Sequence, residues 1–302
     1  MSLLCLENDS LRVKADPIRG AGMVCFYRKT GAGDLAVMPD VEAGGPGPDM
    51  ACFLMVPYSN RIENGEFTFE GKTYKLDKRE EHSLHGAVRH LPWKVVESGP
   101  AASLLRFDSK EHENVNWPWP FVSEVTYELD GNVFSSSLKL WNKGESRMPA
   151  GMGWHPFFSR SLTRDKEPLY LKIDLPRVFP DENDNRIPSG PSEPVPAPLD
   201  FSAEKSVDPD FFIDNCFIYR GGNGHLRWPE SGIKAEFQCS SECSHLVFYN
   251  PPDPFFALEP VTNANNGVNL YENGDPDSGI VVLAPGGLLQ ASYNIKVRYQ
   301  KP

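Results

Sequence analysis

Short segments in which apolar and polar residues alternate recur along the chain, and they constrain its fold more than any other feature. The clearest spans 121–130, where one set of alternate residues is largely apolar and the other largely polar, and a similar segment follows at 133–141. A period of two is typical of a strand with one face in a core. The intervening Asp130-Gly131 suits a tight turn, because glycine accepts a positive φ. This region therefore predicts a β-hairpin.

Other segments of the same kind make the chain as a whole predict as all-β. A second hairpin is expected at 66–76, with its turn at Glu70-Gly71. Further strand candidates, each bounded by Gly, Pro, Asn or Asp, are 11–13, 23–27, 93–96, 104–107, 169–175, 216–219, 233–238, 246–249, 255–258 and 290–299. The 25 glycines and 28 prolines argue against a helical bundle, while 40% hydrophobic residues are enough for a core. At least a dozen strands indicate a large antiparallel β-sandwich or a barrel.

The stretch 181–198, rich in proline, serine and acidic residues, raises the question of domain number. It is either a linker between domains or a long surface excursion within one sheet system. Because strands of similar character flank it on both sides, we expect the second, and one domain over residues 1–302.

Charge and cysteine content limit the partners and cofactors. The chain has 30 basic and 41 acidic residues, a net charge of −11, which disfavours binding to nucleic acid or to anionic lipid. No stretch approaches the length of a membrane span, and no basic leader is evident, so a cytoplasmic protein is expected. Six cysteines are too few for a disulfide scaffold. Cys239 and Cys243 form one cluster where zinc sites usually need two, so no metal is expected.

Four segments concentrate residues capable of catalysis at positions where strands are expected to turn. They are 57–62, 82–86, 153–158 and 257–263. Each also has a purely structural explanation: Arg61 as a surface ion pair with Glu63 or Glu66, His85 as a turn residue, and His155 as a core histidine. Glu259 ends an apolar strand, and a carboxylate there either pairs with an arginine or takes part in proton chemistry.

Taken together, these segments resemble the aldose 1-epimerase (galactose mutarotase) family. The matching motifs, in chain order, are Asn60-Arg61-Ile62, Gly65-Glu66-Phe67 with the hairpin ending at Leu76, Leu84-His85-Gly86, His155-Pro156-Phe157-Phe158, Ile213-Asp214-Asn215-Cys216-Phe217, and Glu259-Pro260-Val261-Thr262 with Asn269. Their order and approximate spacing agree with the family from about residue 55 to about residue 270. The chain departs from the family at Ala87-Val88-Arg89, where a second glycine is expected after Gly86.

The resemblance implies a galactose-mutarotase-like supersandwich that interconverts the α and β anomers of a free aldose such as galactose or glucose. It implies Glu259 as general base and His155 as general acid. The residues implied to orient the sugar are Arg61, His85, Asp214 and Asn60. No cofactor is implied, the partner is a small sugar, and the chain is expected to be a monomer or a homodimer. By the Leu-His-Gly match His85 belongs to the site, and His82 is expected at the surface.

These residue types suit the chemistry of ring opening. A carboxylate takes the proton of the C1 hydroxyl while an imidazolium gives one to the ring oxygen O5. An arginine offers a planar fork of donors to adjacent hydroxyls, and the aromatic residues Trp154, Phe157 and Phe158 are expected to supply an apolar face to the sugar.

Three alternatives remain open at the level of sequence. A hexose 6-phosphate 1-epimerase needs a cationic clamp, for which Arg79, Arg89 and His90 are candidates. A non-catalytic carbohydrate-binding protein keeps the aromatic residues and Arg61 without needing an acid and a base. A glycoside hydrolase needs paired carboxylates, and Asp214 with Glu259 is the obvious pair.

Overall fold

The computed structural model describes residues 2–44, 47–79, 81–163 and 166–300. Its strands up to residue 150 are β1 (Leu4–Glu7), β2 (Leu11–Asp16), β3 (Gly22–Thr30), β4 (Gly33–Met38), β5 (Cys52–Met55), β6 (Arg61–Ile62), β7 (Glu66–Phe69), β8 (Lys72–Lys75), β9 (Ser83–Leu84), β10 (Lys94–Ser98), β11 (Ala102–Asp108), β12 (Phe121–Asp130), β13 (Val133–Asn142) and β14 (Met148–Ala150). The later strands are β15 (Gly153–Ser159), β16 (Tyr170–Ile173), β17 (Arg177–Val178), β18 (Glu193–Pro194), β19 (Lys205–Ser206), β20 (Ile213–Ile218), β21 (Gly222–Trp228), β22 (Ile233–Cys239), β23 (His245–Asn250), β24 (Phe255–Val261), β25 (Val281–Leu283) and β26 (Leu288–Tyr299). Single-turn 3₁₀ helices lie at Glu63–Gly65, Ser109–Glu111 and Ala197–Leu199, and the α-helix α1 spans Gly267–Glu272.

Two large antiparallel sheets form the body of the fold. The first has 11 strands in the order β1-β2-β3-β5-β15-β24-β23-β20-β17-β18, with β4 paired to β3. The second has nine strands in the order β10-β11-β12-β13-β26-β22-β21-β16-β19. The all-β prediction is therefore confirmed. The pairs β6–β9, β7–β8 and β14–β25 form separate two-stranded sheets.

Both predicted hairpins are present. β12 and β13 pair in continuous register from Phe121 opposite Asn142 to Asp130 opposite Val133. The shorter hairpin pairs Glu66 with Lys75 and turns at Glu70-Gly71, where Glu70 has a φ of 51° and Gly71 a φ of 74°. In β13 each buried residue is followed by a half-buried one, which is the pattern of a strand with one face in solvent.

The first sheet is buried on both faces at its centre. Its inner face packs against the second sheet in a large core that includes Leu54, Trp154 and Leu258. Its outer face carries a second apolar cluster that includes Phe53 and Phe157. Every residue of β5 and β15 is consequently buried, and so is every residue of β24 after Phe255.

This double burial explains which strands the sequence patterns miss. Cys52–Met55 is a continuous apolar run, and Gly153–Ser159 has aromatic residues on both faces, so neither shows the apolar–polar alternation by which periodicity identifies a strand. The expectation that the segment 153–158 lies at a turn is wrong: it is a central strand.

The stretch 181–198 carries β18, which pairs with β17 at the edge of the first sheet.

Among the described residues, no helix is long and apolar enough to cross a membrane, and no group of His, Cys, Asp and Glu is arranged to hold a metal ion.

Candidate functional site

A cleft of about 410 Å³ opens on the outer face of the first sheet. Its lining residues are Asn60, Arg61, Arg79, Glu81, His82, Leu84, His85, His155, Asp184, Asn185, Arg186, Phe212, Asp214, Tyr249 and Glu259. All six residues that the sequence singled out for the site therefore line one cavity. Its volume lies in the range typical of small-molecule sites.

Glu259 and His155 lie side by side because β15 and β24 are neighbours in the sheet. The register pairs Gly153 with Val261 and Phe157 with Ala257, which puts His155 opposite Glu259. Both side chains point to the outer face, and Nε2 of His155 is 3.0 Å from Oε1 of Glu259. The second carboxylate oxygen of Glu259 has no hydrogen-bond partner among the described residues.

The imidazole of His155 is oriented by stacking. Phe53, its cross-strand neighbour on β5, lies with its ring centroid 4.4 Å away, and Phe157, two residues along β15, also lies 4.4 Å away. Nδ1 of His155 finds no hydrogen-bond partner in the described part of the chain. The two phenylalanine rings therefore fix the ring plane that a hydrogen bond to Nδ1 often fixes in other proteins.

Burial perturbs both groups of the pair in the direction of neutrality. It raises the pKa of Glu259 well above its ordinary value of 4.5, and Asp214 adds to this effect while Arg61 opposes it. Burial also lowers the pKa of His155 well below 6.5, with Arg89 contributing in the same direction. Because the two groups are in contact, they titrate as a unit. The pair therefore holds one proton over a wide pH range.

Arg61 and Asn60 approach the pair from the short sheet β6–β9. Arg61 is half-buried and pairs with Leu84 across this sheet. Its Nη1 donates to Oδ1 of Asn60 at 3.1 Å, and this hydrogen bond orients the guanidinium. Asn60 has a φ of 55° and is buried. Arg61 makes no ion pair with Glu63 or Glu66, since Glu66 pairs with Lys75 and Glu63 accepts from Asn266.

His85 enters the cleft on a backbone bend that requires glycine next to it. His85 has a φ of 62° and Gly86 a φ of 73°. A Cβ on Gly86 would lie 2.4 Å from the carbonyl oxygen of Val56, so any side chain there would displace the bend. The N–H of His85 donates to the carbonyl of Asn60 at 2.7 Å, which ties the two loops together.

Asp214 is held by an arginine that sequence reasoning did not single out. Nε of Arg186 donates to Oδ2 of Asp214 at 2.7 Å. Arg186 belongs to the stretch 181–198, and the carbonyl of Arg186 accepts from Asn265 at 2.8 Å, just beyond the strand of Glu259. The stretch thus forms a wall of the cleft, although nothing in its proline- and serine-rich composition marked it as part of a site.

Two expectations about individual residues are wrong. His82 is buried, with 6% of its surface exposed, and it lines the cleft. Trp154 and Phe158 alternate with His155 and therefore face the core between the sheets, where they offer nothing to a ligand. Aromatic lining comes instead from Phe212 and Tyr249, whose rings meet edge to face at 6.2 Å. Phe212 directly precedes β20 and Tyr249 is the next-to-last residue of β23, and neither was singled out as a site residue from the sequence.

The protonation of the Glu259–His155 pair predicts how stability depends on pH. In the folded chain the two side chains together hold one proton. In the unfolded chain they have their ordinary pKa values of 4.5 and 6.5, so together they hold two protons below pH 4.5 and none above pH 6.5. Stability falls as pH rises above 6.5, because unfolding then releases a proton, and it falls as pH drops below 4.5.

The variant Glu259→Gln tests this assignment in thermal unfolding. In this variant His155 is neutral above pH 6.5 in both the folded and the unfolded chain, so unfolding releases no proton. The free energy of unfolding of the wild type falls by up to about 1.4 kcal/mol per pH unit over this range, and that of the variant does not. We expect the Tm of the variant to gain on that of the wild type between pH 6.5 and 9. Tm curves that stay parallel over this range would contradict a shared buried proton.

Comparison with known proteins agrees with the architecture and identifies the family. The sequence profile of the family described as aldose 1-epimerase matches residues 3–296, and the chain belongs to this family. It is 24% identical to YphB of Escherichia coli K12, described as uncharacterized, over 99% of this chain and all of that protein. It is 31% identical over 107 residues to rat galactose mutarotase, covering 33% of this chain and 30% of that enzyme.

The fold also agrees with a solved structure. The crystal structure of a galactose mutarotase-like protein from Clostridium acetobutylicum superposes with a TM-score of 0.81 at 19% sequence identity, covering 98% of this chain and 95% of the other. At that identity the likeness concerns the fold alone.

Proposed function

We propose that the protein is an aldose 1-epimerase that interconverts the α and β anomers of a free, uncharged aldose. The observation that carries the proposal is the buried contact of 3.0 Å between Nε2 of His155 and Oε1 of Glu259 on the floor of a polar cleft. Family membership supports the reaction class. A carboxylate and an imidazole that share one proton form a donor and an acceptor for the two proton transfers of ring opening.

In the proposed reaction, Glu259 takes the proton from the C1 hydroxyl while His155 donates a proton to O5. The C1–O5 bond breaks, C1 becomes a carbonyl carbon, and rotation about C1–C2 presents its other face. Re-closure returns both protons. Ring opening converts the charged pair into a neutral acid and a neutral imidazole, which is the protonation that burial favours. Burial therefore favours the ring-opened state over the charged pair, and the reaction begins when the shared proton moves from Glu259 to His155 across their 3.0 Å contact.

Unpartnered polar atoms in the cleft support a ligand rich in hydroxyl groups. Oε2 of Glu259, Nδ1 of His85 and Nε2 of His82 are buried without a hydrogen bond to any described residue. Such groups are costly to leave unpaired, and sugar hydroxyls both donate and accept. Arg61 and Asp214 add a donor fork and an acceptor.

The arrangement of basic residues favours a neutral sugar over its phosphate. Of the three residues considered for a phosphate clamp, Arg79 lines the cleft, His90 is exposed outside it, and Arg89 is stacked on Phe53 and paired with Asp49. Of the other two arginines that line the cleft, Arg186 is already paired with Asp214, and Arg61 is the residue assigned to the sugar hydroxyls. This leaves the exposed Arg79, and one arginine is a weak anchor for a dianion.

The test is the anomeric relaxation of freshly dissolved α-D-glucose and α-D-galactose, followed by polarimetry or proton NMR. We expect added protein to accelerate it in proportion to its concentration, and relaxation at the spontaneous rate would overturn the proposal. Glucose 6-phosphate and nitrophenyl glycosides serve as comparison substrates: faster turnover of either would favour a phosphosugar epimerase or a glycoside hydrolase.

His82 provides a prediction about binding. Its Nδ1 accepts from the N–H of Asn64 at 3.1 Å, so in the neutral ring the proton lies on Nε2 and a donor is available at the cleft. We expect His82→Ala to raise KM roughly three- to tenfold with little change in kcat, the loss of about one hydrogen bond. His82→Asn, which keeps an acceptor for Asn64, controls for the local fold. A fall in kcat with unchanged KM would contradict a binding role.

A further inference from the structure

Arg89 lies over the ring of Phe53, which is itself stacked on His155. Its guanidinium carbon is 3.9 Å from the centroid of the Phe53 ring. Phe53 is stacked on His155 at 4.4 Å with an interplanar angle of 29°. Phe157 lies 4.4 Å from the imidazole and 6.3 Å from Phe53, so it contacts the imidazole beside Phe53 and not on the opposite face. A cation over an aromatic face is attracted by the negative potential of the ring. The stack thus runs from a charge, through one ring, to the histidine of the pair.

The backbone of Arg89 is fixed where it lies. Gly20, with a φ of 65°, packs so closely against it that a Cβ there would be 2.4 Å from the carbonyl oxygen of Arg89. The preceding residues run beside β5, where the N–H of Ala87 donates to the carbonyl of Val56 at 2.7 Å. This is the segment in which Ala87-Val88-Arg89 departs from the family pattern.

The charge of Arg89 is only partly compensated. Its side chain is 14% exposed, and its nearest carboxylate, that of Asp49, is 3.2 Å from Nη2 but 71% exposed. Nε of Arg89 has no hydrogen-bond partner among the described residues. Burying a cation with one exposed partner is costly for stability, so its location calls for an explanation beyond packing.

We propose that Arg89 is a positioning residue that acts on His155 through the ring of Phe53 and sets the pH range over which the Glu259–His155 pair holds a single proton. For the pH dependence of activity the inference rests on the proposed function, but the protonation of His155 is measurable without turnover. The residue extends the machinery beyond the cleft, since Arg89 does not line it.

The direction of the effect follows from the charges around the pair. The titratable and charged groups around the pair are Arg61 on β6, His85 and Arg89 after β9, Cys52 on β5, and Asp214 and Cys216 on β20. Arg89 lowers the pKa of His155 and also that of Glu259, because a cation disfavours a second proton and favours loss of the last one. Removing its charge therefore shifts both limits of the one-proton range to higher pH.

The experiment compares three variants by NMR titration of the His155 ring and by the pH profile of kcat/KM. We expect Arg89→Met to raise both pH limits of the one-proton range by about one unit, since the charge is separated from the imidazole by the ring of Phe53. Arg89→Lys keeps the charge and should leave the limits near those of the wild type, even where loss of the planar fork lowers kcat. His155→Asn assigns the NMR signal.

Asp49→Asn keeps the test decisive if Arg89→Met folds poorly, because Asp49 is at the surface. Removing this anion strengthens the field of Arg89, so both limits should move down, by about 0.2–0.3 pH unit at low ionic strength and less at high salt. Equal profiles in the wild type, Arg89→Met and Asp49→Asn would overturn the proposal. Shifted His155 titrations in a protein that does not accelerate anomerisation would uphold the proposal while overturning the epimerase function.

Discussion

Glu259→Gln should abolish anomer exchange while leaving sugar binding intact. Glutamine keeps the size of the side chain and an oxygen for His155, but it cannot take the proton of the C1 hydroxyl. Removing a general base of this kind typically costs 10²–10⁴-fold, so we expect a fall in kcat of about that size. Polarimetry gives the rate, and calorimetric titration with the sugar gives the affinity.

A matched control for this change is Glu128→Gln on β12, which removes a carboxylate from an exposed position on the second sheet. It should leave the rate of exchange unchanged. Near-normal turnover in Glu259→Gln would show that the base is misassigned, and a loss of binding equal to the loss of rate would show that Glu259 acts in binding alone.

His155→Asn should be nearly as damaging. In the proposed reaction the imidazole supplies the proton for O5, and its removal also leaves Glu259 without the partner 3.0 Å away. We expect kcat to fall by about 10²–10⁴-fold. Since the proposed ring opening needs both proton transfers in one step, the double variant Glu259→Gln/His155→Asn should be little slower than either single variant.

His112 offers a control that separates chemistry from stacking. Its ring is stacked on Phe107 at 4.5 Å, far along the chain from the cleft residues. His112→Asn loses a comparable ring contact and should keep full activity. Additive losses in the double variant, or a fall in His112→Asn as large as that in His155→Asn, would contradict the assignment of His155 as the acid.

The alternating strands of the second sheet can be predicted from sequence, whereas β5 and β15, which carry Phe53 and His155, cannot. β12 and β13 alternate and were identified with nearly their observed bounds. β15 is buried on both faces and lacks the alternation that would reveal it. The motif around His155 marked a residue of interest without indicating the strand that carries it.

The site residues divide in the same way. His155 and Glu259 stood out because each is a titratable group set in an apolar run. Arg186 and His82 lie in polar loops, where such residues are ordinarily solvated, and only the three-dimensional path of the chain turns them towards the cleft. The sequence marks Arg89 as a departure from the family pattern and as a candidate for a phosphate clamp, but the role proposed for it depends on the ring of Phe53, 36 positions earlier in the chain.

The place of β24 in the first sheet has a consequence for biosynthesis. This strand lies between β15 and β23, and it brings Glu259 to a histidine more than 100 residues earlier in the chain. A nascent chain lacking β24 leaves β15, apolar on both faces, with an open edge, and such edges readily pair with other chains. Ribosomes that stall before this point should thus release aggregation-prone fragments, and chaperone demand should peak late in translation.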